Sequence, residues 1–182
     1  MKSALIIVDM QYDFCDGGPM SNNNSLNIIP KINSIRDDYS FVIFLVKLCP
    51  SNHVSFKYYG GKYPKHCVEN MSGSEIVNDI IKKPLDVVVT RCTLQQYDSK
   101  SGFYNAEIIE KPTNLKYILQ VNSINKLYFC GNNMETTIFS TVMDALNYNF
   151  ECYIIRDVVG YIDINEYNEK IKFLNNLNVE FI

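Results

Sequence analysis

The 182-residue sequence has no apolar run approaching the length of a membrane span, no Cys-x-x-Cys pair, no excess of basic residues and only two histidines. Each shortage removes a class of function. Without a long apolar run the chain is not expected to cross a bilayer as a helix. A net charge of −3 and a pI near 5.4 argue against nucleic acid or an anionic membrane surface as the main partner. The first residues lead directly into an apolar strand rather than a signal sequence, so the expected compartment is the cytoplasm. The six cysteines (Cys15, Cys49, Cys67, Cys92, Cys130 and Cys152) are spread singly along the chain. Several lie within apolar runs, where a reduced thiol behaves as a small hydrophobe. There is no internal repeat and no linker, so residues 1–182 are expected to form a single domain with a substantial core.

What is present is an alternation of strand and helix signals. Residues 4–8 (ALIIV) are apolar without alternation, as a strand covered on both faces of a parallel sheet requires. Further strands are predicted over 41–46, 87–90, 126–130, 150–155 and 179–182. Apolar residues at helical spacing predict helices over 26–35, 73–83, 114–121, 135–147 and 164–174. Two long irregular stretches, 47–72 and 92–113, interrupt the alternation, and loops of that length are commonly functional. The pattern implies an α/β fold, a doubly wound parallel sheet with right-handed crossovers. The first strand stops on Asp9, and in such sheets chemistry lies beyond the carboxyl ends of the strands.

Six stretches, in order, carry a more specific signal: IIVDMQYDF (6–14), NHVSF (52–56), YPKHCVENMSGSE (63–75), VVVTR (87–91), SGF (101–103) and FCGNNMETTIFSTVMDA (129–145). With these the chain resembles the isochorismatase-like superfamily of cysteine hydrolases, and within it the nicotinamidases. The resemblance runs nearly end to end. It implies a six-stranded parallel sheet with helices on both faces. It also implies an acid after the first strand, a lysine after the third, and a cysteine in the turn opening the helix after the fourth. In that division of labour the acid takes the thiol proton, the lysine stabilises the thiolate and the helix N-terminus supports the anion. Nicotinamidases further hold a divalent metal in the long loop and sandwich the substrate ring between aromatic residues. A cis peptide bond is implied around residues 132–134, and homo-oligomers are common.

Carried over position by position, the resemblance is incomplete. Asp9 matches the acid, but Arg91 stands at the lysine position and Thr137 at the cysteine position. No cysteine lies between Cys130 and Cys152 to rescue the nucleophile. Arginine keeps the charge as a planar fork suited to pairing with a carboxylate. The hydroxyl of Thr137 needs a stronger base than a carboxylate of ordinary basicity, and loss of one member of a nucleophilic set costs on the order of 10⁴–10⁶ in turnover. At the implied metal positions Lys47 replaces an acid and Cys49 a histidine, while His53 and His66 remain. Cys49, His53 and His66 are thus a candidate site for zinc or another divalent metal. Phe14 and Tyr63 hold the implied ring-flanking positions.

The expectation is a divergent, nicotinamidase-like protein without normal thiol-dependent amide hydrolysis. Its cleft would take a small planar molecule such as a pyridine carboxamide or carboxylate. Three alternatives stay open at this point. The chain is an active hydrolase, either of amides or of a vinyl ether with Asp9 as proton donor. A cysteine at a strand end, Cys49 or Cys92, replaces the missing nucleophile. Or the protein is a non-enzymatic, oligomeric or partner-binding one.

Overall fold

The computed structural model describes residues 2–182. Six parallel strands form the central sheet: β1 (Lys2–Val8), β2 (Val42–Lys47), β3 (Val87–Arg91), β6 (Ile124–Gly131), β7 (Glu151–Val159) and β8 (Glu180–Phe181). The two remaining strands, β4 (Tyr104–Ala106) and β5 (Lys111–Pro112), make a separate antiparallel pair inside the second long loop. The helices are α1 (Ile29–Ile35), α2 (Leu115–Val121), α3 (Phe139–Asn147) and α4 (Ile164–Asn175).

The sheet order is β3-β2-β1-β6-β7-β8. The chain therefore builds outward from β1 in one direction, then returns to its other side with β6. That reversal opens a crevice beyond the carboxyl ends of β1 and β6, where ligands of such sheets bind.

The absence of alternation in β1 has a direct cause. Ala4, Ile6 and Val8 pack into the core shared with α2, α3 and α4, whereas Leu5 and Ile7 pack into the core under α1. Period-2 side chains on a strand covered on both faces leave no position for a polar residue. The helices accordingly cover both faces of the sheet, as the resemblance implied.

Two expected helices differ from expectation. Residues 73–83 are not a helix; a single 3₁₀ turn (Ser72–Ser74) is followed by irregular chain. Their amide groups are satisfied elsewhere: Val77 donates to the Met10 carbonyl, Asn78 to the Tyr12 hydroxyl and Ile81 to Asn33 Oδ1. Val77 and Ile80 still bury their side chains, so the apolar spacing was real but served a strap over the sheet. The helix expected over 135–147 begins with a π-helical turn (Met134–Ile138) before α3. Such turns occur often at functional sites, and this one carries Thr137.

The β6 strand ends at Gly131, whose φ is 101°. A Cβ there would collide with the Val8 backbone, so only glycine lets the turn pass close against β1. The next peptide bond, Asn132–Asn133, is cis. Among the described residues no helix is long and apolar enough to cross a membrane.

Candidate active site

The three positions singled out as a triad converge. Asp9 follows β1, Arg91 ends β3 and Thr137 sits in the π turn after β6, and all three are buried. Arg91 Nη2 lies 2.6 Å from Asp9 Oδ2 and donates to Thr137 Oγ1 at 2.9 Å. Thr137 Oγ1 in turn donates to the same Asp9 Oδ2 at 2.7 Å. Arg91 Nη1 donates to the Ser99 carbonyl at 2.7 Å. The guanidinium fork thus ties the carboxylate to the SKSGF loop, which a lysine ammonium could not do with the same geometry. Burial works against the Arg91 charge, but the neighbouring acidic groups, Asp9 foremost with Asp98 beside it, together hold the guanidinium pKa above its usual range.

The loop that receives Arg91 is itself clamped. Glu107 Oε1 accepts from the backbone N–H groups of Lys100 and Ser101, each at 2.7 Å. The Thr141 hydroxyl accepts from the Gly102 N–H and donates to the Thr137 carbonyl, linking the loop to the helix that carries Thr137.

Beside this cluster lies a cavity of about 70 Å³, lined among others by Phe14, Lys47, Tyr63, His66, Arg91, Asn133, Thr137 and Ile162. At roughly 10–15 Å³ per water, it holds a handful of waters, the space a single small ring displaces. The expected ring-flanking residues are both on its wall. The His66 ring stands edge-on to each of them, 5.6 Å from Phe14 and 5.9 Å from Tyr63. Asp9 lies beneath the wall, reached through Thr137 and Arg91.

No cysteine lines this cavity. Cys92 follows Arg91 but packs behind it, with Sγ 3.0 Å from the Ser99 carbonyl. Cys92 lies just past β3 with a φ of 62°, and its Sγ accepts from Arg91 Nη1 at 3.4 Å. Cys49 packs with Cys92, Phe56 and Val68, and burial pushes its thiol up to about 12. Burial likewise raises the Cys92 and Cys130 thiols. The Lys47 and Arg91 cations lie near both, but Cys49 and Cys92 are fully buried, whereas a nucleophilic thiolate needs exposure.

Cys49, His53 and His66 are not arranged as a metal-ligating group. Among the described residues no cluster of three or more His, Cys, Asp or Glu side chains is placed to hold a metal ion. The donor chemistry gives the reason. His53 Nε2 faces the Tyr97 carbonyl at 2.9 Å and must carry the proton, while Nδ1 accepts from the Ser55 N–H and lies 2.8 Å from the Ser55 hydroxyl. Both ring nitrogens are committed. His66 spends its Nδ1–H on the Pro64 carbonyl at 2.8 Å, leaving Nε2 as the acceptor. Burial, assisted by the nearby Lys47 ammonium, depresses the His66 pKa to about 4, so the ring is neutral near pH 7. The residues present therefore do not fit a bound divalent cation.

Lys47, the last residue of β2, occupies that neighbourhood instead. Gln11 pins its backbone, accepting from the Lys47 N–H and donating to its carbonyl. The ammonium lies 3.2 Å from Asp98 Oδ1 and 5.8 Å from the Tyr63 ring centroid. Burial disfavours this charge, yet its surroundings, with the Asp98 carboxylate in direct contact, hold its pKa above the ordinary lysine value. Asp98 and the Glu107 clamp were not singled out from sequence. A lysine replacing an acid in a buried setting was the available signal that a carboxylate must lie near.

The isochorismatase domain family matches residues 3–182. The chain belongs to this family. The isochorismatase-like fold of its relatives is the six-stranded parallel sheet described above. It is 28% identical over 205 residues to the nicotinamidase of Schizosaccharomyces pombe, covering 98% of this chain and 92% of that one. Among solved structures it is similar to the pyrazinamidase of Pyrococcus horikoshii in complex with zinc, at 30% identity and a TM-score of 0.91, covering 100% of this chain and 99% of the other. It is also similar to PnC1 of L. infantum in complex with nicotinate, at 25% identity and a TM-score of 0.93, over 100% and 92% of the two chains.

Proposed function

We propose that this isochorismatase-family chain binds a small planar pyridine-type molecule, a carboxamide or carboxylate, without carrying out thiol-dependent amide hydrolysis. The observation that carries the reading is the Thr137 hydroxyl at the position the resemblance assigns to the nucleophile, held between Asp9 and Arg91 with no thiol among the residues lining the cavity. The aromatic wall of Phe14 and Tyr63 suits a flat ring, and the nicotinate complex of the L. infantum relative supports that ligand class.

One contact favours a second reading, an active amide hydrolase using an alcohol. Thr137 Oγ1 donates to Asp9 Oδ2 at 2.7 Å, within reach for general-base activation. Against it, the same carboxylate oxygen is engaged by Arg91, which stabilises the charge a base would have to use. The vinyl-ether reading has no comparable support, since Asp9 would have to donate a proton while held as the acceptor of two hydrogen bonds.

Ammonia release from nicotinamide, measured beside nicotinate binding by calorimetry, tests the proposal. We expect binding without turnover. Turnover in the ordinary enzymatic range of about 1–10³ s⁻¹ overturns it. Activity lost on Thr137→Val establishes the alcohol mechanism.

A further inference from the structure

We infer that the Lys47 ammonium is the built-in cation of this cleft: it occupies the role of a metal ion and anchors an acceptor atom at the edge of a planar ligand, a ring nitrogen or a carboxylate oxygen. The inference rests on the reading that the cleft takes a small ring, and it deepens that reading by naming what holds the ring's polar edge.

Four observations converge. Lys47 is 5% exposed yet lines the cavity, so its ammonium is not a solvated surface charge. Among the described residues its hydrogen-bond acceptor is Asp98 Oδ1, which leaves donors of the three-proton ammonium for a ligand. Tyr63, on the same wall, sets its ring 5.8 Å from the Nζ, within the range where a cation is attracted to an aromatic face. The Gln11 side chain fixes the strand end through both Lys47 backbone groups, so the side chain leaves a rigid base.

The same residues disfavour a divalent ion. A second cation would be placed beside an ammonium with little solvent to separate them, and Asp98 is already engaged by Lys47. His53 would have to abandon the Tyr97 carbonyl or the Ser55 contacts to supply a lone pair. His66 keeps one acceptor nitrogen, Nε2, beside the ammonium. The Arg91 guanidinium also lines the cavity, but its Nη donors are spent on Asp9, Thr137 and Ser99, so Lys47 and the His66 acceptor are the pair beside the aromatic wall that can read the polar edge of a ring.

The test uses the full chain and nicotinate as probe, titrated by calorimetry with and without EDTA, together with zinc content after dialysis against zinc. Lys47→Met removes the charge at similar length, Lys47→Arg keeps it, and near-ultraviolet circular dichroism confirms folding of each. Phe14→Ala reports on the aromatic wall independently. Expected are no stoichiometric zinc, an affinity indifferent to EDTA, a loss of roughly 10–100-fold in Lys47→Met, the size of a charged hydrogen bond, and a smaller loss in Lys47→Arg. Stoichiometric zinc, or binding abolished by EDTA, overturns the inference. Binding by Lys47→Met equal to that of the unaltered chain, with Phe14→Ala weakened, overturns it alone and leaves the ring-binding cleft standing. Failure of the unaltered chain to bind nicotinate overturns both.

Discussion

Arg91→Met removes the charge that holds Asp9 and fills much of the same space. The side chains of this pair are 3% and 0% exposed, and the partners lie 2.6 Å apart. Methionine deletes four interactions together: the ion pair, the bond to Thr137 Oγ1, the bond to the Ser99 carbonyl and the contact to Cys92 Sγ. What remains for Asp9 Oδ2 is the Thr137 hydroxyl, while Oδ1 has no partner among the described residues even in the unaltered protein. A buried ion left without its counter-ion costs about 3–5 kcal/mol, a large share of the roughly 5–15 kcal/mol that stabilises a folded domain. Adding Asp9→Asn removes the stranded charge, and the double variant should recover to within about 2 kcal/mol of the original chain. Urea unfolding followed by circular dichroism, with unchanged m-values, measures each corner of the cycle. A loss below about 1 kcal/mol in Arg91→Met, the size seen for exposed pairs, would refute the reasoning, because it would mean that water already screens the cluster.

Further expectations follow from other parts of the site. Thr137→Cys combined with Arg91→Lys should raise ammonia release from nicotinamide at least ~100-fold, against the ~10⁴–10⁶ that a missing nucleophile costs; a flat result in a folded variant that still binds nicotinate shows that the thiol is not what limits the reaction. His66 has its pKa depressed to about 4 in the folded chain, below the ordinary histidine value of 6.5. The unfolded chain therefore binds the extra proton first as pH falls, so stability drops between about pH 6.5 and pH 4, by about 2 kcal/mol at pH 5. Urea titrations at pH 7 and 5 in EDTA should show that slope, and His66→Gln should flatten it. Gly131→Ala places a Cβ against the Val8 backbone at a φ of 101°, and should lower stability by more than about 1 kcal/mol in thermal or urea unfolding.

Much of the site was legible because it depends on order along the chain. Asp9 and Arg91 sit at the ends of strand runs, and parallel strands bring the ends of such runs to one edge whatever their separation in sequence, whereas Thr137 was named only by the resemblance. Phe14 and Tyr63, loop residues named only by the resemblance, also reach the cavity wall. The segment over residues 73–83 was misjudged because its apolar spacing fits a helix as well as a strap, and the spacing cannot say where the amide protons go.

The sequence by itself determined the strand-helix alternation and the doubly buried first strand, since these follow from local composition and spacing. Only the tertiary structure decided that Lys47 pairs with Asp98, that both nitrogens of His53 are already engaged and that Cys49 and Cys92 pack away from the cavity. Those outcomes turn on which distant partner reaches a buried polar group first. No local pattern encodes that competition, because desolvation and geometry settle it only once the two long loops are folded against the sheet.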